Sequence, residues 1–329
     1  MLTGTPVPNY LPEVFSLLQI LFPEEAKAGG RFGSLWRWRE EWFNCRPNPF
    51  NPRAIDILGL KGCSSRCPDQ CIHYQRFMDS NFRGRFLSRD LSDVDVQLPP
   101  LIEQTIELPM VPAQQKAYTS TAKQWVVDLG ESEVVNWSAA SNHVMLDRIT
   151  TGLSTVQPTL KKDASNKMDM LREDLQNRSS PTLVVANYTN TLSSVAALCA
   201  DLKLSYRVVQ GKTNKVGREN AVRDFQDGKI DVLIGQIDVV AEGLTLTAAD
   251  LVILVESSYR PTTMQQVVKR IHRLGQDKTC YVRKYVSVQK GKTKNRPTVD
   301  VRKQEILANK TDIARRAISA SKLKEYLGV

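Results

Sequence analysis

The sequence predicts an α/β protein whose main part is a doubly wound parallel sheet. From residue 181 onward, short β-branched runs alternate with helical stretches, and the runs are apolar throughout, as is typical of strands buried on both faces. The predicted strands cover 182–186, 206–210, 232–235, 251–256 and 280–288, and the predicted helices cover about 190–202, 215–227 and 263–274. Ligands of such sheets bind beyond the carboxyl ends of the strands.

The residues before this sheet are expected to be mainly helical. Apolar spacing predicts a first helix from Leu11 to Phe22, which Pro23 ends. Residues 35–43 predict a second helix with its large apolar side chains on one face, namely Leu35, Trp38 and Trp42. Its mixture of aromatic and basic residues suits stacking on bases, but a packed amphipathic helix is the simpler expectation.

The middle of the chain changes character several times. Residues 45–75 are rich in proline and are expected to form an irregular insertion, whereas Ile102, Gln104, Ile106 and Leu108 alternate like a strand. Residues 112–150 are predicted to be helical, and 154–166 are predicted to be a loop. The apolar stripe of the predicted helical stretch comprises Trp125, Val126 and Leu129.

Charge points to an anionic partner. The 329 residues contain 45 Lys and Arg against 35 Asp and Glu, a net charge of +10, and 289–329 alone contain 11 basic and 4 acidic residues. Such a basic tail is either a solvated segment or a segment that binds along a phosphate backbone. No apolar run approaches the ~18 residues that cross a bilayer, and no signal peptide is evident. The sequence therefore predicts a soluble intracellular protein that binds nucleic acid and no membrane.

The strongest chemical signal lies between Gln266 and Gln276. Arg270 and Arg273 are three residues apart on the predicted helix, so they are expected to share a face. Two guanidiniums that point the same way suit a polyphosphate. A solvated basic helix end would be the ordinary explanation, but this helix follows a buried strand, where ligands are expected.

Two segments imitate the end of a phosphate-binding loop. Gly211-Lys212-Thr213 and Gly291-Lys292-Thr293 match the last residues of G-x-x-x-x-G-K-[ST]. The required first glycine is replaced by Tyr206 and Val286, so neither segment is a P-loop, and the pattern occurs nowhere else in the sequence.

The ordered motifs resemble those of the Swi/Snf-type DNA-dependent ATPases, superfamily two helicase-like enzymes. Residues 266–276 resemble the last helicase motif, Q-A-x-x-R-x-H-R-x-G-Q, and 242–250 resemble G-L-N-L-T-x-A-D, with Thr245 where Asn is typical. Residues 2–6 with Asn9 resemble L-T-G-T-P-x-x-N, which closes the family's first lobe. The second-lobe pattern G-x-t…R…F is matched by Gly211, Arg218 and Phe225.

This resemblance implies a RecA-like second motor lobe in 166–288. It also implies the end of a first lobe in 1–76, a helical linker in 77–165 and a basic tail in 289–329. ATP would lie between the lobes, and the implied catalytic residues are Arg273 as arginine finger, Arg270 as its assistant and Gln266 for positioning. Nucleotide contacts would come from Glu242, Gly243, Gly275 and Gln276, and duplex DNA contacts from Thr189, Gly211, Lys212 and Thr245. Thr3, Gly4 and Thr5 would couple the nucleotide state to the strength of DNA binding.

The family's P-loop and acidic Mg²⁺-binding motif precede L-T-G-T-P, and the sequence contains neither. The resemblance therefore implies that ATP and Mg²⁺ are held mainly by a first lobe encoded upstream or in another polypeptide. The chain alone is expected to be inactive. The alternative is a non-catalytic DNA-binding accessory module, and a third hypothesis is a protein-interaction module stapled by zinc.

Six cysteines are too few for a disulfide scaffold, but four of them cluster. Cys63, Cys67, Cys71 and His73 offer three thiolates and an imidazole, a donor set that tetrahedral Zn²⁺ accepts. Cys45 is an alternative to His73 as the fourth ligand. A set of reduced thiols without metal is the competing interpretation, and a zinc ion here would staple an insertion rather than catalyse.

Overall fold

The computed structural model describes most of the chain and divides it into two compact units. The described residues are 11–48, 51–64, 67, 71–83, 85, 97–124, 126–128, 133–135, 139–156, 165–291, 293, 295–309 and 311. The first unit contains Met1–Val96 with Leu307–Val329, and the second, here called the sheet unit, contains Gln97–Ile306. This division differs from the four predicted segments, because a helix crosses residues 76 and 77 and the predicted linker contributes a strand to the main sheet.

The first unit begins with the two predicted helices. A 3₁₀ turn at Leu11–Glu13 leads into α1, Val14–Leu21, and α2 spans Leu35–Trp42. The Ser34 hydroxyl caps α2 by accepting a hydrogen bond from the backbone N–H of Arg37. Trp38 and Trp42 are buried as predicted, whereas Leu35 is exposed.

The prediction of an irregular loop over 45–75 is wrong for most of that segment. Strands β1, Phe43–Asn48, and β2, Asn51–Leu60, pair antiparallel as a two-stranded ribbon, and α3 follows at Ile72–Phe82. The prolines misled the prediction. Pro47 and Pro52 lack an N–H, but each strand of a two-stranded ribbon is an edge strand, where proline is tolerated.

Trp38 organises the core of this unit. Its ring centroid lies 5.2 Å from that of Phe15, 5.5 Å from that of Phe43 and 6.0 Å from that of Phe77. Its indole Nε1–H donates to the buried Asn81 Oδ1 at 2.7 Å, so the polar edge of the ring is satisfied as well. These contacts connect α1, α2, β1 and α3 through one side chain.

The sheet unit is built on six parallel strands in the order β3-β10-β9-β6-β8-β7. These strands are β3 Leu101–Pro109, β6 Thr182–Ala186, β7 Tyr206–Val209, β8 Val232–Gln236, β9 Leu251–Leu254 and β10 Cys280–Val288. The helices of this unit are α4 Pro112–Gln124, α5 Ala139–Thr151, α6 Asn166–Gln176, α7 Thr189–Asp201, α8 Lys215–Gln226, α9 Ile237–Ala241 and α10 Pro261–Ile271. A last helix, α11, covers residues 299–309. The predicted strands and helices after residue 181 are all present.

The helices cover both faces of the sheet. Alternate residues of the central strands pack in opposite directions, as Leu183 and Val185 do toward α8, α9 and α10, and Val184 and Ala186 toward α6 and α7. The sheet is therefore doubly wound, as predicted, with one apolar layer on each side.

The single helical stretch predicted for 112–150 is wrong. It divides into α4, a short antiparallel pair, β4 Val126–Asp128 with β5 Glu133–Val135, and α5. The pair sets Val126 opposite Val135 and Val127 opposite Val134, and β-branched side chains prefer such cross-strand positions to a helix. Trp125 and Leu129 lie outside the described residues, as does 157–164 of the predicted loop.

The first part of the basic tail is folded rather than solvated. Gln289 and Arg296 form an antiparallel bridge, and α11 then brings Asp300 and Lys303 into buried positions. Lys303 Nζ pairs with Asp147, and Asp300 accepts from the fully buried Lys167 Nζ at 2.7 Å. Among the described helices, none is both long and apolar enough to cross a membrane.

Replacing Lys303 with Met is expected to lower the free energy of unfolding by about 3–5 kcal/mol, because Asp147 would stay buried without its cation. Arg302→Met, at the exposed neighbouring position, is the matched control and should change it by less than about 0.5 kcal/mol. Urea denaturation measures both. Equal effects of the two substitutions would show that the Lys303 pair adds nothing to stability.

Candidate functional site

The arginine motif lies at the end of α10 rather than within it. The helix ends at Ile271 with His272 as its C-cap, three residues earlier than predicted. Arg270 is therefore in the last helical turn, and Arg273 is in the turn that follows. The expectation that the two arginines share one helix face is wrong, but the turn brings both to the loop at 241–245.

Arg270 is anchored to this loop. Its Nη2 donates to the carbonyl of Ala241 at 2.6 Å, and its own carbonyl accepts from the N–H of Leu246 at 3.0 Å. Its Nε is buried and has no hydrogen-bond partner among the described residues. Burial, followed by the charge of Arg273, lowers the pKa of the Arg270 guanidinium. The side chain therefore holds an under-compensated charge in a fixed position.

Arg273 is more accessible and more lightly held. Its Nη1 donates to the Thr245 hydroxyl at 3.0 Å, and the side chain is partly exposed. A single neutral hydroxyl orients the guanidinium without neutralising it, so the side chain keeps its charge and further donors for a ligand.

Gln276 holds the neighbouring chain segments together. Its buried amide Nε2 donates to the carbonyls of Thr247, Ala249 and Ile271 at 3.2, 2.9 and 3.1 Å. Its Oε1 accepts from the N–H groups of Asp277 and Lys278, at 3.2 and 3.0 Å. This network leaves the side chain no capacity for a nucleotide, so Gln276 shapes the site rather than lining it. The residue before it, Gly275, has φ +93° and supplies the sharp turn.

The remaining predicted nucleotide residues lie around this turn and loop. Gln266 is partly exposed on α10, four residues before Arg270. Glu242 and Gly243 are exposed directly after α9, and Gly243 has φ +70°, which favours glycine. Thr3, Gly4 and Thr5 lie outside the described residues.

The arginine turn lies toward the opposite edge of the sheet from the one expected. Strands β9 and β10 are parallel, so α10, which joins them, runs antiparallel to both and ends near the amino ends of the strands. Thr245 contacts Arg273 and therefore belongs to this edge. The expectation that the arginines lie beyond the carboxyl ends is wrong, because the helix carries them back across the sheet.

The other predicted DNA residues lie at the carboxyl edge. Thr189 is exposed as the first residue of α7, directly after β6, and Gly211 and Lys212 are exposed after β7. The Gln236 side chain at the end of β8 accepts from the Gly211 N–H at 2.9 Å and so connects neighbouring strand ends. Thr245 is separate from these three residues.

A buried carboxylate supports this edge, although the sequence analysis did not single it out. Glu256, two residues after β9, accepts from the N–H groups of Asn187 and Tyr188 at 2.7 and 2.9 Å. It also accepts from the hydroxyls of Thr151 and Thr191, at 2.8 and 2.6 Å. Burial raises the pKa of Glu256, and its hydrogen bonds and Lys167 oppose that shift. The only available signal was an acidic residue ending an apolar strand.

The predicted cysteine cluster assembles in the first unit. One donor atom from each of Cys63, Cys67, Cys71 and His73 lies within 4.8 Å of all the others. Burial, and then the neighbouring Cys71, raise the pKa of the Cys63 thiol to about 12. Cys45 lies in β1 and is not a member of this group, so the alternative that placed it in the ligand set is wrong.

The sheet and the arginine turn define a RecA-like helicase lobe, and the comparisons with known proteins agree. Residues 166–275 match the helicase conserved C-terminal domain, and 1–177 match the SNF2-related domain. The second match covers more than half of the chain, which therefore belongs to the SNF2-related, Swi/Snf-type family of helicase-like ATPases.

Individual relatives are distant. The chain is 28% identical over 280 residues to the DNA annealing helicase and endonuclease ZRANB3 of Bos taurus. The matched region covers 84% of this chain and 24% of that protein. It is 26% identical over 308 residues to the SWI/SNF chromatin-remodeling complex subunit snf22 of Schizosaccharomyces pombe. Here the matched region covers 87% of this chain and 17% of the relative. The chain thus spans about a quarter or less of these relatives.

Among solved structures, the C-terminal part of the Fun30 ATPase domain has a similar fold. The TM-score is 0.52 at 14% sequence identity, with 64% of this chain and 90% of that chain covered. At this identity the likeness concerns the fold alone.

Gln276→Met is expected to destabilise the sheet unit, because two buried carbonyls and one partly buried carbonyl would lose their donor, at about 1–3 kcal/mol for each buried group left unpaired. We expect a total loss above about 2 kcal/mol in urea denaturation. Gln265→Met, on the exposed side of α10, is the control and should be nearly neutral. A Gln276→Met protein as stable as this control would contradict the structural role of the amide.

Proposed function

We propose that this chain supplies the second lobe of an ATP-dependent DNA translocase, with Arg273 as its arginine finger. The observation that carries the proposal is the way the two arginines are held. Arg270 and Arg273 bind a carbonyl and a hydroxyl of one loop, and within the described residues neither forms an ion pair with a carboxylate. Two adjacent cations without counter-charges suit a polyphosphate.

The contacts support different roles for the two arginines. Arg270 is partly buried and anchored through both its side chain and its carbonyl, so we assign it to positioning the loop and to the local field. Arg273 is partly exposed and can exchange one hydroxyl contact for phosphate oxygens. An arginine that reaches the γ-phosphate stabilises the charge of the transition state. Gln266 is proposed to position the nucleotide from the preceding turn of α10.

The loop residues are proposed to form the rest of this lobe's nucleotide surface. Glu242, Gly243 and Gly275 are exposed beside the arginines and are proposed to contact the nucleotide or the partner lobe. We propose that Gln276 acts indirectly, by keeping the loop closed. Because Thr245 bonds Arg273, we also propose that it couples the loop to the finger rather than contacting DNA.

Duplex DNA is the proposed track. Thr189, Gly211 and Lys212 present a hydroxyl, an accessible backbone and a cation at the carboxyl edge, the groups that contact phosphates without reading sequence. The relatives support this substrate, because one is named a DNA annealing helicase and another a chromatin-remodeling subunit. An intracellular location follows from this substrate as part of the proposal.

ATP and Mg²⁺ are proposed to be held mainly by a first lobe that carries the P-loop and the acidic motif. This lobe is part of the same polypeptide or of a partner. The segment containing Thr3, Gly4 and Thr5 is proposed to couple the nucleotide state to the strength of DNA binding. Closure of the lobes on ATP and their opening after hydrolysis would then move the protein along the duplex.

Arg273→Ala is expected to reduce kcat for DNA-stimulated ATP hydrolysis by about 10³ to 10⁵ fold, the usual contribution of an arginine finger. The assay compares the chain alone with the chain mixed with a polypeptide that carries the first lobe. Activity is expected in the mixture and not in the chain alone. Lys269→Ala, exposed on the same helix, is the control and should retain activity.

Two results would contradict the assignment. Full activity of the Arg273→Ala mixture would exclude this residue as the finger. No hydrolysis in any mixture, with DNA binding retained, would instead favour the non-catalytic DNA-binding accessory module.

Lys212→Ala is expected to weaken duplex binding uniformly across sequences and to reduce the slope of log affinity against log salt by about 1. Fluorescence anisotropy over a range of salt concentrations measures both quantities. Lys229→Ala removes an exposed lysine that precedes β8, at the opposite edge of the sheet, and should leave the slope unchanged. Equal slopes for the two variants would place the DNA elsewhere.

A further inference from the structure

We propose that Cys63, Cys67, Cys71 and His73 bind a single structural zinc ion. This site lies within the first unit and is independent of the proposed motor function. Four protein ligands complete a tetrahedral shell and leave no open position for substrate, which is the arrangement of structural rather than catalytic zinc sites.

Two of the donor–donor distances match the edges of a tetrahedral site, and all of them are within 4.8 Å. The sulfurs of Cys63 and Cys71 are 3.6 Å apart, and Cys67 Sγ lies 3.9 Å from His73 Nδ1. Zn–S bonds of about 2.3 Å at the tetrahedral angle separate two sulfurs by about 3.8 Å. Both distances agree with such an edge to within a few tenths of an ångström.

The same distances disfavour two other states of these cysteines. A disulfide would require a sulfur–sulfur bond of about 2.05 Å, and none of the described cysteines forms one. A polynuclear iron–sulfur cluster divides its four protein ligands among two or four irons, and so spreads the whole set farther apart than one shared ion does. The compact group of donors therefore fits a mononuclear site.

Gly62 fixes which nitrogen of His73 faces the sulfurs. Gly62 has φ +77° in the turn after β2, and a Cβ at this position would come within 2.9 Å of His73 Cδ2 and 3.0 Å of Nε2. The Nε2 side of the ring thus packs against the glycine, and Nδ1 is directed at Cys67. Glycine is needed here both for its backbone conformation and for its lack of a side chain.

The ion would connect the ribbon to α3. Cys63 follows β2 by three residues, whereas Cys71 is the N-cap of α3 and His73 lies in its first turn. The Cys71 side chain makes no capping hydrogen bond, so metal binding rather than capping explains a cysteine there. Because α3 carries Phe77 and Asn81 to Trp38, fixing its first turn also fixes the aromatic core.

The first test measures the metal content of the whole chain purified under reducing conditions. Mass spectrometry of the metals is expected to give one zinc per chain and no iron. Replacement by Co²⁺ should give the visible bands of tetrahedral cobalt bound by thiolates. Absence of zinc, together with failure to bind added Zn²⁺ or Co²⁺, would overturn the proposal, and stoichiometric iron would replace it with an iron–sulfur site.

The second test identifies the ligands. Cys71→Ser is expected to abolish stoichiometric zinc, whereas Cys45→Ser, in β1 and outside the group of four donors, should retain it. Gly62→Ala leaves every ligand in place but displaces His73, and is expected to weaken zinc affinity about 10-fold or more, as loss of a ligand's support does. Far-ultraviolet circular dichroism of each variant distinguishes metal loss from unfolding. Retention of zinc by a folded Cys71→Ser protein would contradict the assignment.

Discussion

The need to cover both faces of a parallel sheet governs the sheet unit. Parallel neighbours require crossover connections, and β6, β8 and β9 are so apolar that each face needs its own layer of helices. Every crossover helix therefore runs back from the carboxyl edge to the amino edge. Residues at the start and the end of one helix are consequently separated along the strand direction, near opposite ends of the strands. This separation divides the DNA residues near α7 from the arginine turn after α10.

Much of the sheet was predictable from sequence, because its local and tertiary requirements agree. The runs at 182–186 and 280–288 coincide with β6 and β10, since β-branched residues favour strands and burial favours apolar ones. Where these requirements diverge, prediction failed. The prolines of the ribbon at 43–60 indicate a loop locally, but an edge strand tolerates them.

The candidate sites show the same limit. Spacing identified Arg270 and Arg273, but their location depends on the strand order and on the end of α10 at Ile271, neither of which is a local property. Spacing likewise leaves Cys45 and His73 as alternative ligands, and only the folded chain, which brings His73 and not Cys45 to the other three donors, distinguishes them. The sequence does not reveal the role of the Glu256 carboxylate, because its four donors come from two segments, Thr151 and 187–191, that are both distant from it in the chain.

The neutral acceptors of Arg270 and Arg273 have a consequence for the energetics of ligand binding. A carboxylate partner would have to be broken and rehydrated before an anion could bind, whereas the Ala241 carbonyl and the Thr245 hydroxyl leave the positive potential intact. The cost of arranging that potential, including the repulsion between the two guanidiniums, is met when the chain folds. An incoming phosphate therefore finds dipoles and charges already oriented, and little reorganisation energy remains for the binding step.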